Sequence, residues 1–164
     1  MLKRYTSIIV VLLFGLVNLS AQNLPKVKVQ NIAGTLVESK DWVNGETPFI
    51  LSFWSTTCKP CIQELDALNE NYIDWNDEVP FRVIAVSIDD SRSASRAKAL
   101  ARGRGWSDVF TLGFDTNSDL KRSLSVVSVP QVFIFDKDGK MIYSHTGYTP
   151  GNEYELIEKI KELK

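Results

Sequence analysis

The chain has 164 residues, 44% hydrophobic and 24% charged, the composition of one globular domain large enough to bury a core without covalent help. Collagen-like, low-complexity and disordered classes are excluded. With 19 basic against 20 acidic residues, nucleic acid is not an expected partner.

The first 21 residues depart from that composition. Lys3 and Arg4 precede an apolar run from Ile8 to Val17, broken only by Gly15, and the small residues of NLSA end at Ala21. This is the pattern of a secretory signal peptide, residues 1–21, cleaved near Ala21/Gln22. The run is short of the roughly 20 residues that span a bilayer, so a retained membrane anchor is the weaker alternative. No cysteine follows the run to take a lipid. Cleavage leaves residues 22–164 with 17 basic and 20 acidic residues, a net charge of −3, in the periplasm or cell envelope, where dithiols tend to be oxidised.

After Gln22, Val27 to Asn31 and Thr35 to Val37 read as two short strands hinged at Gly34. The apolar run PFILSFW marks a central strand buried on both faces. From Cys58 to about Trp75, the spacing of Ile62, Leu65, Leu68, Tyr72 and Trp75 predicts a helix. Phe81 to Asp89 is a second buried strand, and Ser93 to Arg104 a second helix stopped by Gly103 and Gly105. Val109 to Gly113 leads to a third helix, Asp119 to Leu124, with Asn117 or Ser118 as its cap. Val132 to Phe135 and Met141 to His145 form a hairpin around a turn at Asp136 to Gly139, and Glu153 to Leu163 closes the chain as an amphipathic helix. This order describes an α/β fold, a mixed sheet with helices on both faces.

The only two cysteines stand at the step from the central strand into the first helix, in FWSTTCKPCIQE. Cys58 sits where unpaired backbone N–H groups and the positive helix end stabilise a thiolate, with the Lys59 charge beside it. It is the expected nucleophile of disulfide exchange. Cys61, on the same helical face, is placed to resolve the mixed disulfide, and Pro60 suits a helical first turn. A permanent structural staple is a poor reading, because so small a loop constrains the unfolded chain little. Glu64 follows Cys61 by three residues on the same side and is the candidate acceptor of its proton.

FWSTTCKPC, followed about seventy residues later by VSVPQVFIFDKDG, resembles the thioredoxin fold. With the leader, the CKPCIQE continuation and the extra N-terminal strands, the chain is similar to the TlpA/ResA-like exported thiol-disulfide oxidoreductases. The resemblance implies a three-layer α/β/α thioredoxin fold with an added N-terminal β-hairpin, and a monomeric enzyme that reduces disulfides of envelope proteins such as apocytochrome c. It implies electrons from a membrane donor and no cofactor. It also implies that Glu64 tunes the cysteine pair, that Trp54 packs beside the cysteines, and that Pro130 is cis and faces them while Val129 offers backbone hydrogen bonds to an extended substrate segment. Ser52 stands where thioredoxins proper carry a buried aspartate, which leaves Glu64 as the nearby carboxylate. Thr57 departs from the aromatic residue common before the first cysteine.

Other readings carry less weight. The cluster of Arg92, Arg96, Lys98, Arg102 and Arg104 reads as a solvated helix face rather than a docking patch. FDKDG lacks the further ligands of a calcium loop and is a turn. His145, the only histidine, could join the two cysteines in a copper-binding metallochaperone, which stands as the rival class together with an oxidising or isomerising exchanger; no resident metal is expected. A peroxidase would place its cysteine in a different context, which STTCKPC matches only superficially.

Overall fold

The structure, a computed structural model, describes residues 22–163; the segment read as a signal peptide lies outside the described residues. Phe49–Trp54 forms the middle strand, β3, buried along its whole length. Parallel to it runs β4 (Arg82–Ser87), which pairs in turn with β5 (Thr111–Phe114). On the other side of β3, the antiparallel hairpin of β6 (Gln131–Phe135) and β7 (Met141–Thr146) completes the sheet. A hairpin of β1 (Lys28–Asn31) and β2 (Leu36–Glu38) adds to the edge of β5, giving the order β2-β1-β5-β4-β3-β6-β7.

Alternation along β3 divides the core in two. Ile50 and Trp54 face a layer built by α1 (Lys59–Glu78), α2 (Ala94–Gly103), α3 (Trp106–Val109) and α5 (Asn152–Lys161), through Leu65, Leu68, Ala97, Ala101, Trp106, Leu156 and Ile160. Phe49, Leu51 and Phe53 face the opposite layer, where α4 (Asp119–Ser123) and a 3-10 turn at Ser39–Trp42 supply Leu120, Leu124 and Trp42. The three-layer α/β/α arrangement read from the sequence is therefore the one found. No helix among the described residues is long and apolar enough to cross a membrane.

Several local features differ from the sequence reading. The first helix runs on to Glu78, one turn past Trp75, and stops at Val79, because the residue before Pro80 is disfavoured in helical geometry. A short helix, α3, occupies Trp106–Val109, where the sequence reading places no helix. Ser118, one of the two expected caps, holds the cap position of α4, but in a left-handed conformation and without a side-chain cap bond. Instead the buried Asp115 carboxylate accepts the amides of Asp119, Leu120 and Lys121 at 2.9, 3.2 and 2.8 Å. In the 136–139 turn, Asp136 accepts the amides of Asp138 and Lys140. Gly139 (φ 81°) meets Val43 there so closely that a Cβ would lie 2.7 Å from its methyl, and only glycine fits.

The candidate dithiol site and its relatives

Parallel β3 and β4 both point their C-terminal ends at one rim of the sheet, so the loops leaving them meet there. After Trp54 the chain makes a turn in which the Cys58 amide donates to the Ser55 carbonyl at 3.1 Å, and α1 begins. Cys58 is the residue that caps α1: its sulfur accepts the Cys61 amide at 3.3 Å, with Pro60 in the first turn. Cys58 and Cys61 are joined as a disulfide with their Cα atoms 5.3 Å apart. Cys58 is half-buried, Cys61 is fully buried, and Lys59 and Pro60 are exposed. Cys58 is therefore partly open to solvent while Cys61 is shielded.

Behind Cys61 lies Glu64, 1% exposed, its Oε2 accepting the Ser52 hydroxyl at 2.9 Å. Burial pushes this carboxyl from its ordinary value up to about 8; the Ser52 bond opposes the shift and the Glu153 carboxylate adds to it. In the oxidised state at neutral pH, Glu64 thus holds a proton. Glu153, at the start of α5, is itself buried and accepts the Tyr148 hydroxyl at 2.9 Å and the Gly151 amide at 2.8 Å. Burial, followed by the Glu153 bond, raises Tyr148 above its ordinary range, keeping it a donor.

The Val129–Pro130 peptide is cis. Phe53 pairs with Gln131 across β3 and β6, so the next residues along, Trp54 and Pro130, come side by side at the rim. Val129 packs against both core layers, and its backbone N–H and C=O have no partner among the described residues. Trp54 shares the core layer of Cys61 and meets Trp106 edge to face at 5.1 Å. All eight residues singled out from the sequence, Trp54, Cys58, Lys59, Pro60, Cys61, Glu64, Val129 and Pro130, belong to elements converging on this rim. His145 instead lies within β7, opposite Val132.

The sequence reading misses three residues at or behind the rim, Glu153, Tyr148 and Asp89, and the bond of Ser52 to Glu64. Asp89 follows β4 and accepts the Thr56 amide at 2.9 Å, the Thr56 hydroxyl at 2.7 Å and the Ser87 hydroxyl at 2.8 Å. Its only sequence signal is a carboxylate just past a buried strand. The basic cluster is partly satisfied internally: Arg92 pairs with Asp90, Arg104 with Asp66, and Lys98 lies over the Phe114 ring.

Comparison with known proteins agrees with this geometry. The AhpC/TSA family matches residues 21–144. Thiol-disulfide oxidoreductase ResA of Bacillus thuringiensis is 29% identical over 139 residues, 85% of this chain and 75% of the relative; ResA of Bacillus anthracis is 30% identical over 137 residues, 83% and 75%. The solution structure of an uncharacterized thioredoxin-like protein from Porphyromonas gingivalis is 48% identical, with a TM-score of 0.75 over 85% of this chain and 90% of that one. A disulfide-linked CxxC pair at the head of α1, on a sheet shared with such relatives, makes this chain a member of the AhpC/TSA family and, within it, a thioredoxin-fold thiol-disulfide oxidoreductase.

Proposed function

We propose that the mature protein, residues 22–164, is an exported reductase of protein disulfides in the cell envelope. The observation that carries this is the succession of a partly exposed cysteine, a buried cysteine and a buried acid at the start of α1: Cys58, Cys61 and Glu64. The Cys58 thiolate attacks one sulfur of a target disulfide, which breaks; the other target sulfur leaves as a thiolate and takes a proton from solvent. Cys61, whose proton passes to Glu64 when that carboxyl is ionised, then attacks the Cys58 sulfur. The Cys58–Cys61 bond forms, the mixed disulfide breaks, and the second target thiolate leaves. Two electrons have moved to the target, and Glu64 ends protonated, the state its burial favours in the oxidised protein.

The unpartnered backbone of Val129 supports an extended target segment pairing there as an added strand. Targets are cysteine-bearing envelope proteins, apocytochrome c among them. Re-reduction requires a dithiol donor, for which a membrane protein suits an exported monomer. The test is turbidimetric insulin reduction by the mature chain. Cys58→Ala abolishes turnover, and Cys61→Ala accumulates a mixed disulfide. If Cys58→Ala retains activity the reading fails, and if the wild type consumes hydrogen peroxide faster than it reduces insulin, a peroxidase replaces it.

A further inference from the structure

Asp89 is 9% exposed, yet none of the ion pairs among the described residues includes it. A carboxylate so placed is costly to bury unless its oxygens are well bonded. They are, and two of the three donors belong to a single residue, Thr56, which offers its amide to Oδ2 and its hydroxyl to Oδ1. The third, Ser87, is held in turn: its hydroxyl donates to Oδ2 and accepts the Asp89 amide at 3.1 Å. The frame beneath is rigid, since Trp54 and Ser87 are paired in the sheet and the Ile88 amide continues the ladder to the Trp54 carbonyl.

Thr56 lies inside the turn that ends at Cys58. We propose, building on the reductase reading, that Asp89 is a positioning residue for the nucleophile: it clamps the 55–58 turn to the end of β4 so that Cys58 caps α1, and it fixes a negative charge against Thr56, two residues before Cys58 in the chain. The clamp and the charge act differently. The clamp holds Cys58 where the α1 N–H groups can receive its thiolate. The charge opposes that thiolate, which disfavours the reduced, ionised pair and biases it toward giving electrons away. The first two turns of α1 carry the charged residues Lys59, Glu64 and Asp66, and Asp90 and Arg92 follow Asp89 in the chain. The loop from Ser123 to Gln131 carries none.

The experiment compares Asp89→Asn, which keeps an acceptor for Thr56 but removes the charge, with Asp89→Ala, which removes both. The readout is the rate of Cys58 alkylation by iodoacetamide across pH 5 to 9 on the reduced mature protein, with kcat and KM for insulin beside it. For Asp89→Asn the alkylation profile moves to lower pH, with about threefold more thiolate on its acid side, and glutathione buffers poise the pair further toward the dithiol. For Asp89→Ala kcat falls about tenfold with KM little changed, the split expected when a nucleophile is misaligned rather than a substrate lost. Should Asp89→Ala fail to fold, Thr56→Val, which deletes the hydroxyl donor alone, gives a smaller fall in kcat. An Asp89→Asn profile superimposed on that of the wild type overturns the proposal. Alkylation reads Cys58 directly, so this outcome holds its meaning even if insulin proves not to be a target and the reductase reading fails.

Discussion

Glu64 is an acid buried without a cation, and the consequence extends beyond catalysis. Unfolded, its carboxyl titrates near 4.5; folded, near 8. Between those values the native state holds a proton that the unfolded state has lost, so stability is greatest below about pH 4.5 and declines as pH rises toward 8, by at most about 1.4 kcal/mol per pH unit. Glu64→Gln keeps a group able to accept the Ser52 hydrogen bond and removes the titration. Urea denaturation of the oxidised proteins should therefore show the glutamine variant gaining on the wild type as pH is raised from 5 to 8. Parallel profiles would mean that Glu64 titrates as an ordinary surface acid. The same variant slows insulin reduction at the resolving step, because an amide cannot take the Cys61 proton. At this scale the sequence was informative wherever spacing is local. Cys61 and Glu64 are one helical turn apart, and their shared side follows from the period of α1. Ser52, Asp89 and Glu153 reach the site through strand register and helix packing, across separations that no local pattern encodes.

Elements were legible where burial imposed a continuous apolar run or a clear period, as in β3, β4 and α1. They were obscure where a single tertiary contact decided the matter. The tetrapeptide of α3 is too short to show a period; Trp106 anchors it, through its fully buried ring and an Nε1–H bond to Asp66 at 3.1 Å. The start of α4 shows the same limit. Ser118 immediately precedes the helix and is a good cap by residue type, yet Asp115, three residues earlier, takes all three free amides. Two predictions separate these assignments by urea denaturation. Asp115→Ala leaves those amides without their charged acceptor and costs about 1–3 kcal/mol, whereas Ser118→Ala changes stability by less than about 0.5 kcal/mol. Equal losses would return the cap to Ser118. Because α4 leads into the loop carrying Val129 and Pro130, its anchoring also helps to fix the rim opposite Cys58.

For the whole molecule, the charges around the cysteine pair bear on the direction of electron flow. Two features favour the thiolate and hence an oxidising couple: the α1 N-terminus and Lys59. Two oppose it: full burial of Cys61, and the Asp89 carboxylate, which accepts the amide and hydroxyl of Thr56 in the turn that ends at Cys58. Lys59 is exposed and screened by solvent, while the opposing groups lie in or at the edge of the core, where charges act at lower effective dielectric. This balance supports the reductase reading proposed above. A thermodynamic cycle links the potential to folding: a strong oxidant is more stable when reduced, whereas a reductant is more stable when oxidised. Couples near about −270 mV and about −180 mV differ by roughly 4 kcal/mol in this respect, since 30 mV corresponds to about 1.4 kcal/mol for two electrons. Urea unfolding of the oxidised mature protein, and of the same protein held in excess dithiothreitol, should give the higher midpoint for the oxidised form. A higher midpoint for the reduced form would mean that the helix end and Lys59 dominate, and that the protein inserts or rearranges disulfides rather than removing them.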